Sequence, residues 1–211
     1  MSGPLSVLRA LVVSSIGALV TSGCFITHDL EMPALAHAEV ATDFATYDIE
    51  RVGLLPVMGL GDDPRLAESF RLALQAELSR SAPYELVVLG EAELEAVEGS
   101  RPYLRGTYDP ATILALSQRF QLQGFLFPTV TQHRNYPPQE LGVVVELVAS
   151  ETGLSVWTGR LYLDANDPAV VTGLKVYYGI GDEDAPHEWD LALLSPERFT
   201  RFAAYQLALL L

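Results

Sequence analysis

The sequence predicts one α/β domain: a single mixed β-sheet of about five strands covered by helices, in the order β-α-β-α-α-β-β-β-α-α. Three observations carry this. Short apolar runs alternate with amphipathic stretches over residues 51–132, which is the pattern of crossover units with parallel pairing. Two β-rich runs, Leu141–Ala149 and Leu154–Leu163, then flank the turn Ser150-Glu151-Thr152-Gly153, the pattern of an antiparallel hairpin. Finally, Asp63-Pro64, Asp109-Pro110, Asp167-Pro168 and Ser195-Pro196 each pair a capping side chain with a proline that needs no donor at the first helical position. Apolar residues make up 49% of 211, enough for a sizeable core.

In chain order, Ala10 to Val20 is mainly apolar and follows Arg9. It is too short to span a bilayer, which takes about 20 apolar residues. Its length fits the apolar region of an export signal followed by small residues. Thr21-Ser22-Gly23-Cys24 then resembles a bacterial lipobox, with Thr21 departing from the commoner Leu, Val or Ile. That resemblance implies cleavage between Gly23 and Cys24 and a lipid on the Cys24 thiol. An ordinary signal with a free cysteine, or a buried amino-terminal helix, are the alternatives. Cys24 is the single cysteine of the chain, so no internal disulfide competes for it. Residues 24–48 read as a flexible acidic tether, of which Phe44 and Tyr47 are large enough to pack on the domain. The globular domain is expected over 49–211.

Arg51–Val57 reads as a buried first strand that loosens at Pro56. Leu66, Phe70, Leu74 and Leu78 recur every four residues and make one face of the first helix. Pro83 breaks it, and Tyr84–Leu89 is a second strand. Glu91–Glu98 is a short acidic helix ended by Gly99, and a polar loop runs to Tyr108. Ile113, Leu114, Leu116 and Phe120 give the next helix its apolar side. Gly124 opens a third strand toward Gln132, in which Pro128 implies an edge or a bulge. After the hairpin, a helix runs from Asp167-Pro168 toward Tyr178, and Gly179–Asp190 is an acidic loop. The last helix follows Ser195-Pro196, and its apolar end, Leu207–Leu211, is expected to be buried.

The charge bounds the partners. Asp and Glu number 27 against 13 Lys and Arg, for a formal net charge of −14. Nucleic acid is disfavoured, because phosphates need clustered cations. An anionic membrane surface repels such a domain, so attachment needs something other than charge, which the lipid implied at Cys24 would supply. No cofactor or metal is expected. Asp182-Glu183-Asp184 with His187 and Glu188 is the best oxygen-rich cluster, but it lacks the spacing of a calcium-binding hand. Gly59 and Gly61 come nearest to a phosphate loop, and Asp62 and Asp63 there would repel phosphate. His133 is a lone candidate base. Trp157, Tyr162, Tyr177, Tyr178 and Trp189 are aromatic enough to line a surface, though aromatics are mostly core. No catalytic set emerges, and the chain is not expected to be an enzyme.

Tyr47–Val57, with Arg51-Val52 leading into Leu54-Leu55-Pro56, resembles the opening strand of the curli-secretion (CsgG/LpoB/TolB amino-terminal-domain-like) lipoprotein superfamily. The leucine-repeat helix, the Gly124 strand and the hairpin carrying Gly153 and Trp157 follow in the expected order. Tyr136-Pro137-Pro138 and Leu163-Asp164-Ala165 also resemble segments of secreted lipoproteins of planctomycete-type bacteria. The resemblance implies an envelope location, the outer membrane facing the periplasm, and action by binding. Pore-forming members add a pair of long alternating segments, about 9–11 residues per strand. None is seen here, so a non-pore relative is implied. The expected function is a lipid-anchored, non-enzymatic envelope protein that binds another envelope protein. The alternative is a module for a small molecule or cell-wall fragment, with Tyr103, Tyr136, Trp157 and Trp189 as the candidate binding surface.

Overall fold

The computed structural model describes residues 31–61, 63–97, 109–179 and 188–211. Gly23, Cys24, Tyr103 and the cluster Asp182-Glu183-Asp184 with His187 lie outside the described residues. So does the whole expected signal peptide.

The strands are β1 (Ala36–Val40), β2 (Arg51–Leu54), β3 (Glu85–Val88), β4 (Gly124–Arg134), β5 (Glu140–Ala149) and β6 (Ser155–Asp164). The helices are α1 (Pro64–Ser81), α2 (Glu91–Glu95), α3 (Pro110–Phe120), α4 (Pro168–Tyr178), α5 (Glu188–Ala192) and α6 (Pro196–Ala208). One six-stranded sheet runs in the order β1-β6-β5-β4-β2-β3. β2 pairs in parallel with both β3 and β4, and every other pair is antiparallel. The mixed sheet thus has the expected split, with the crossover units on one side and the meander on the other.

All four cap-and-proline pairs start a helix. Asp63, Asp109 and Asp167 accept from the backbone N–H of Leu66, Ala111 and Ala169, and Ser195 Oγ accepts from that of Arg198. Each cap satisfies a donor that the first turn leaves without a partner. The leucine row of α1 is buried as its spacing required, together with Glu77.

Sheet alternation sorts the core into two layers. Leu126, Val130, Leu141, Val143, Val145 and Leu161 face α1, α4 and α6. Phe125, Phe127 and Val148 face α2 and α3 with Leu55 and Leu89. The second face beyond β4 is polar. Arg160 pairs there with Glu39, Arg134 with Glu140 at 2.5 Å, and Tyr162 is exposed.

Four expectations need correction. The stretch 24–48 is not all tether, because Ala36–Val40 is hydrogen-bonded to β6 as the edge strand β1, which makes six strands rather than five. Phe44 and Tyr47 do pack on the core. Pro128 lies in the interior strand β4, at neither an edge nor the bulge, which falls between Val130 and Gln132. The ladder tolerates it because β2 has left at Leu54. Leu55 N–H donates to Leu126 O and Met58 N–H to Pro128 O, so the missing N–H of Pro128 faces the gap at Pro56. The end of the acidic loop forms the short helix α5, a third helix after the hairpin. The apolar carboxyl end is only partly covered: Leu207 and Ala208 are buried, and Leu209 is exposed.

Candidate functional site

The four candidate surface residues separate. Trp157 is 4% exposed, in the main core. Its ring lies over Gly159, where a Cβ would stand 2.5 Å from Trp157 Cη2. Trp157 therefore serves packing and is removed from the binding surface. Tyr103 lies outside the described residues. The segments that carry Tyr136 and Trp189, 53 positions apart in sequence, meet at one end of the sheet.

Buried Gln139 makes this meeting. Its Nε2 donates to Ala192 O of α5 at 3.2 Å, and its backbone carbonyl accepts from Ala165 N–H at 2.9 Å. The β4–β5 loop is thereby tied to α5 and to the turn between β6 and α4. Arg134 fixes the loop internally. Its Nε donates to Pro138 O at 2.7 Å, and its guanidinium stands 5.9 Å from the centre of the Tyr136 ring. Lys175 of α4 holds its Nζ 4.6 Å from the centre of the Trp189 ring. Each such cation-over-ring contact contributes about 0.5–1 kcal/mol at an exposed site.

Three side chains stand out from this end: Tyr136 at 66% exposure, Leu191 at 47% and Leu194 at 63%. Leu191 and Leu194 stand beside half-buried Trp189 and Lys175 on the α4–α6 side of the sheet, whereas Tyr136 accompanies Arg134 and Glu140 at its polar face. Leu191 and Leu194 were not singled out from sequence. They follow the acidic run, and only the backbone turn that caps α5, with Leu194 N–H and Ser195 N–H both donating to Leu191 O, turns them outward together.

The helices behind α5 are held rigidly. Tyr177 packs its ring 4.9 Å from Tyr178, 4.8 Å from Tyr205 and 5.7 Å from Phe202. Its hydroxyl donates to buried Glu77, which also pairs with Arg80, and Tyr178 OH donates to Arg198 O at 2.8 Å. Burial first, then the Glu77 charge, push the Tyr177 phenol above its ordinary value, so it stays a donor. These two tyrosines are fasteners between α4, α6 and α1.

Two clefts among the described residues leave out Tyr136, Trp157 and Trp189. One, of about 290 Å³, is bordered by Asp48, Glu50, Gln123 and Glu151. The other, of about 180 Å³, lies between the starts of α1 and α2, where Arg71 is already held by both carboxylate oxygens of Glu68. Both fall below the roughly 300–1,000 Å³ usual for a ligand site. No group of three or more His, Cys, Asp or Glu among the described residues is placed to hold a metal ion. No described helix is long and apolar enough to cross a membrane.

His133 is half-buried on β4. Desolvation lowers its pKa, and the charge of Asp63 opposes the shift. The folded state thus favours the neutral ring. Stability from this source is complete above about pH 6.5 and is lost as pH falls through the folded value. Thermal denaturation at about pH 7 and about pH 5 is expected to show a smaller difference for His133→Gln than for wild type. Equal differences would place the acid sensitivity elsewhere.

No protein-family model matches the chain, and no curated protein matches it. Solved structures overlay on it in part. The PelC dodecamer from Paraburkholderia phytofirmans covers 79% of this chain and 95% of its own, at 10% identity and a TM-score of 0.43. Lipoprotein GNA1162 from Neisseria meningitidis covers 61% of this chain and 91% of its own, at 18% identity and a TM-score of 0.41. The LpoB C-terminal domain from Salmonella enterica covers 55% and 84%, at 15% identity and a TM-score of 0.37. Overlaps of this kind are likenesses of backbone outline and carry no residue role to this chain.

Proposed function

We propose that this chain is a lipid-anchored, non-enzymatic envelope protein, attached through Cys24 to the periplasmic face of the outer membrane, that binds a protein partner. The observation that carries the binding role is the exposed pair Leu191 and Leu194 beside Trp189 and Lys175. Exposed aliphatic anchors beside an aromatic ring and a cation have the composition of a protein-binding centre. The rigid bed of Tyr177, Tyr178 and Phe202 supports it, since a preformed surface loses less side-chain freedom on binding. The lipobox supports the anchor. A small-molecule or cell-wall-fragment site fits less well, because the aromatics stand on an open surface and the clefts are edged by carboxylates.

The test compares three forms of the full chain as bait in detergent-solubilised envelopes: wild type, the double variant Leu191→Asp/Leu194→Asp, and Leu72→Asp. Leu72 is equally exposed on α1, away from the patch. Surface substitutions of this kind change stability by about 0.5 kcal/mol or less, so all three forms should melt together. One partner should be retained by wild type and by Leu72→Asp, and its recovery should fall at least about ten-fold with the double variant, the equivalent of one lost anchor. Equal recovery by all three, or no specific partner, removes the proposal.

A further inference from the structure

The domain begins earlier than a free spacer would allow. Pro33 packs against Gly173 of α4 beside the Phe202 ring, where a Cβ on the glycine would stand 3.2 Å from Pro33 Cγ and 2.6 Å from Phe202 Cζ. Leu35 N–H donates to Oε1 of buried Gln206 at 3.2 Å, and Gln206 Nε2 donates to Met32 Sδ at 3.1 Å. Met32 and Leu35 both pack on the main core. From Met32 onward the chain belongs to the α4–α6 surface.

This fixes the reach of an anchor at Cys24. Eight residue steps separate Cys24 from Met32, and an extended chain covers at most about 3.5 Å per step, or about 28 Å. A free spacer over 24–48 would have reached about 80 Å. A domain of this size is itself roughly 40 Å across. The lead is therefore shorter than the domain is wide, and the α4–α6 surface, on which α5 and its patch are packed, stays beside the bilayer.

We infer that the partner captured by the Leu191–Leu194 surface beside Trp189 is a protein resident in the same membrane as the anchor, presenting its binding segment close to the bilayer. This rests on the lipid anchor and the binding patch proposed above. A partner of the opposite membrane, or one free in the periplasm, would favour a long lead. The short one raises the effective concentration only of what lies at the same surface.

The experiment places the photo-crosslinking residue benzoylphenylalanine at position 194 of the full chain in intact cells. One form keeps the native lead. The other carries an insertion of about 20 Gly and Ser residues between Glu31 and Met32, ahead of the contacts that Met32, Pro33 and Leu35 make. Effective concentration falls with roughly the 3/2 power of lead length, so the adduct should drop about six-fold on insertion. The adduct partner should also remain in the membrane pellet after a carbonate wash. An adduct unchanged by the insertion, or a partner that washes off, overturns the inference and leaves the binding patch standing. No adduct at position 194 in the native form overturns the binding reading, and the inference with it.

Discussion

Cys24→Ser is expected to abolish incorporation of labelled palmitate and to leave residues 1–23 on the protein, where wild type carries the label and begins at Cys24. The difference is one of nucleophile. A thiol with a pKa near 8.5 presents a few per cent of thiolate at neutral pH, and a serine hydroxyl presents essentially none. The consequence for location is large, because nothing else holds this protein to a bilayer by charge. Residues 1–23 contain one base and no acid, so their removal would leave a chain still more acidic than the −14 of the whole. Each buried methylene contributes about 0.8 kcal/mol, and two or more acyl chains give stable attachment. Intact mass and detergent partitioning of both forms provide the measurement. A wild-type protein that carries no lipid, or that retains residues 1–23, would falsify the anchor and the reach argued from it.

Much of the fold was legible because local chemistry and tertiary position agreed. An Asp or Ser before proline specifies a helix start whatever the helix packs on, and all four did so. The valine run of β5 could be buried only in a sheet. β1 was hidden for the opposite reason. Ala-His-Ala-Glu-Val has one buried residue, and its place depends on the ladder with β6, a contact more than 100 residues away that no local pattern encodes. Pro128 misled because its tolerance is set by a neighbour, β2 turning away at Pro56, and not by its own strand.

The candidate site was legible in its aromatics and not in its geometry. Parity held a usable signal for Trp157, which shares a sheet face with Leu161 and Leu163 and was core for that reason. Tyr136 and Trp189 were the right residue types. Their segments are joined by one buried amide, Gln139, reaching Ala192 O, and a lone glutamine before a strand announces nothing of the kind. Leu191 and Leu194 sit next to an acidic run that reads as solvated loop, and their outward pairing is set only by the turn that closes α5.

The second large effect separates two glycines that look equivalent in sequence. Gly59 and Gly61 both follow β2, and both belong to the turn that came nearest to a phosphate loop. Gly59 has φ +90, and a Cβ there would stand 2.0 Å from Val130 O. That carbonyl is strand backbone and cannot rotate away. Gly59→Ala must therefore adopt a left-handed conformation, costing about 1–2 kcal/mol, and push the Met58 bridge off β4. The bonds at risk are Met58 N–H to Pro128 O and Val130 N–H to Met58 O, each contributing about 1 kcal/mol. Together these set an expected loss of about 3–4 kcal/mol, a large share of the roughly 5–15 kcal/mol a domain holds. Gly61 has no atom within 4 Å of its Cβ position and no positive φ. Gly61→Ala is expected to gain about 0.4–1 kcal/mol, by narrowing the unfolded ensemble. Urea midpoints of the two variants should thus move in opposite directions from wild type. A shared direction would mean that the glycines serve the turn jointly, as a ligand loop would require. Opposite directions assign Gly59 to the close approach of two strands, which is sufficient reason for a glycine there without any phosphate.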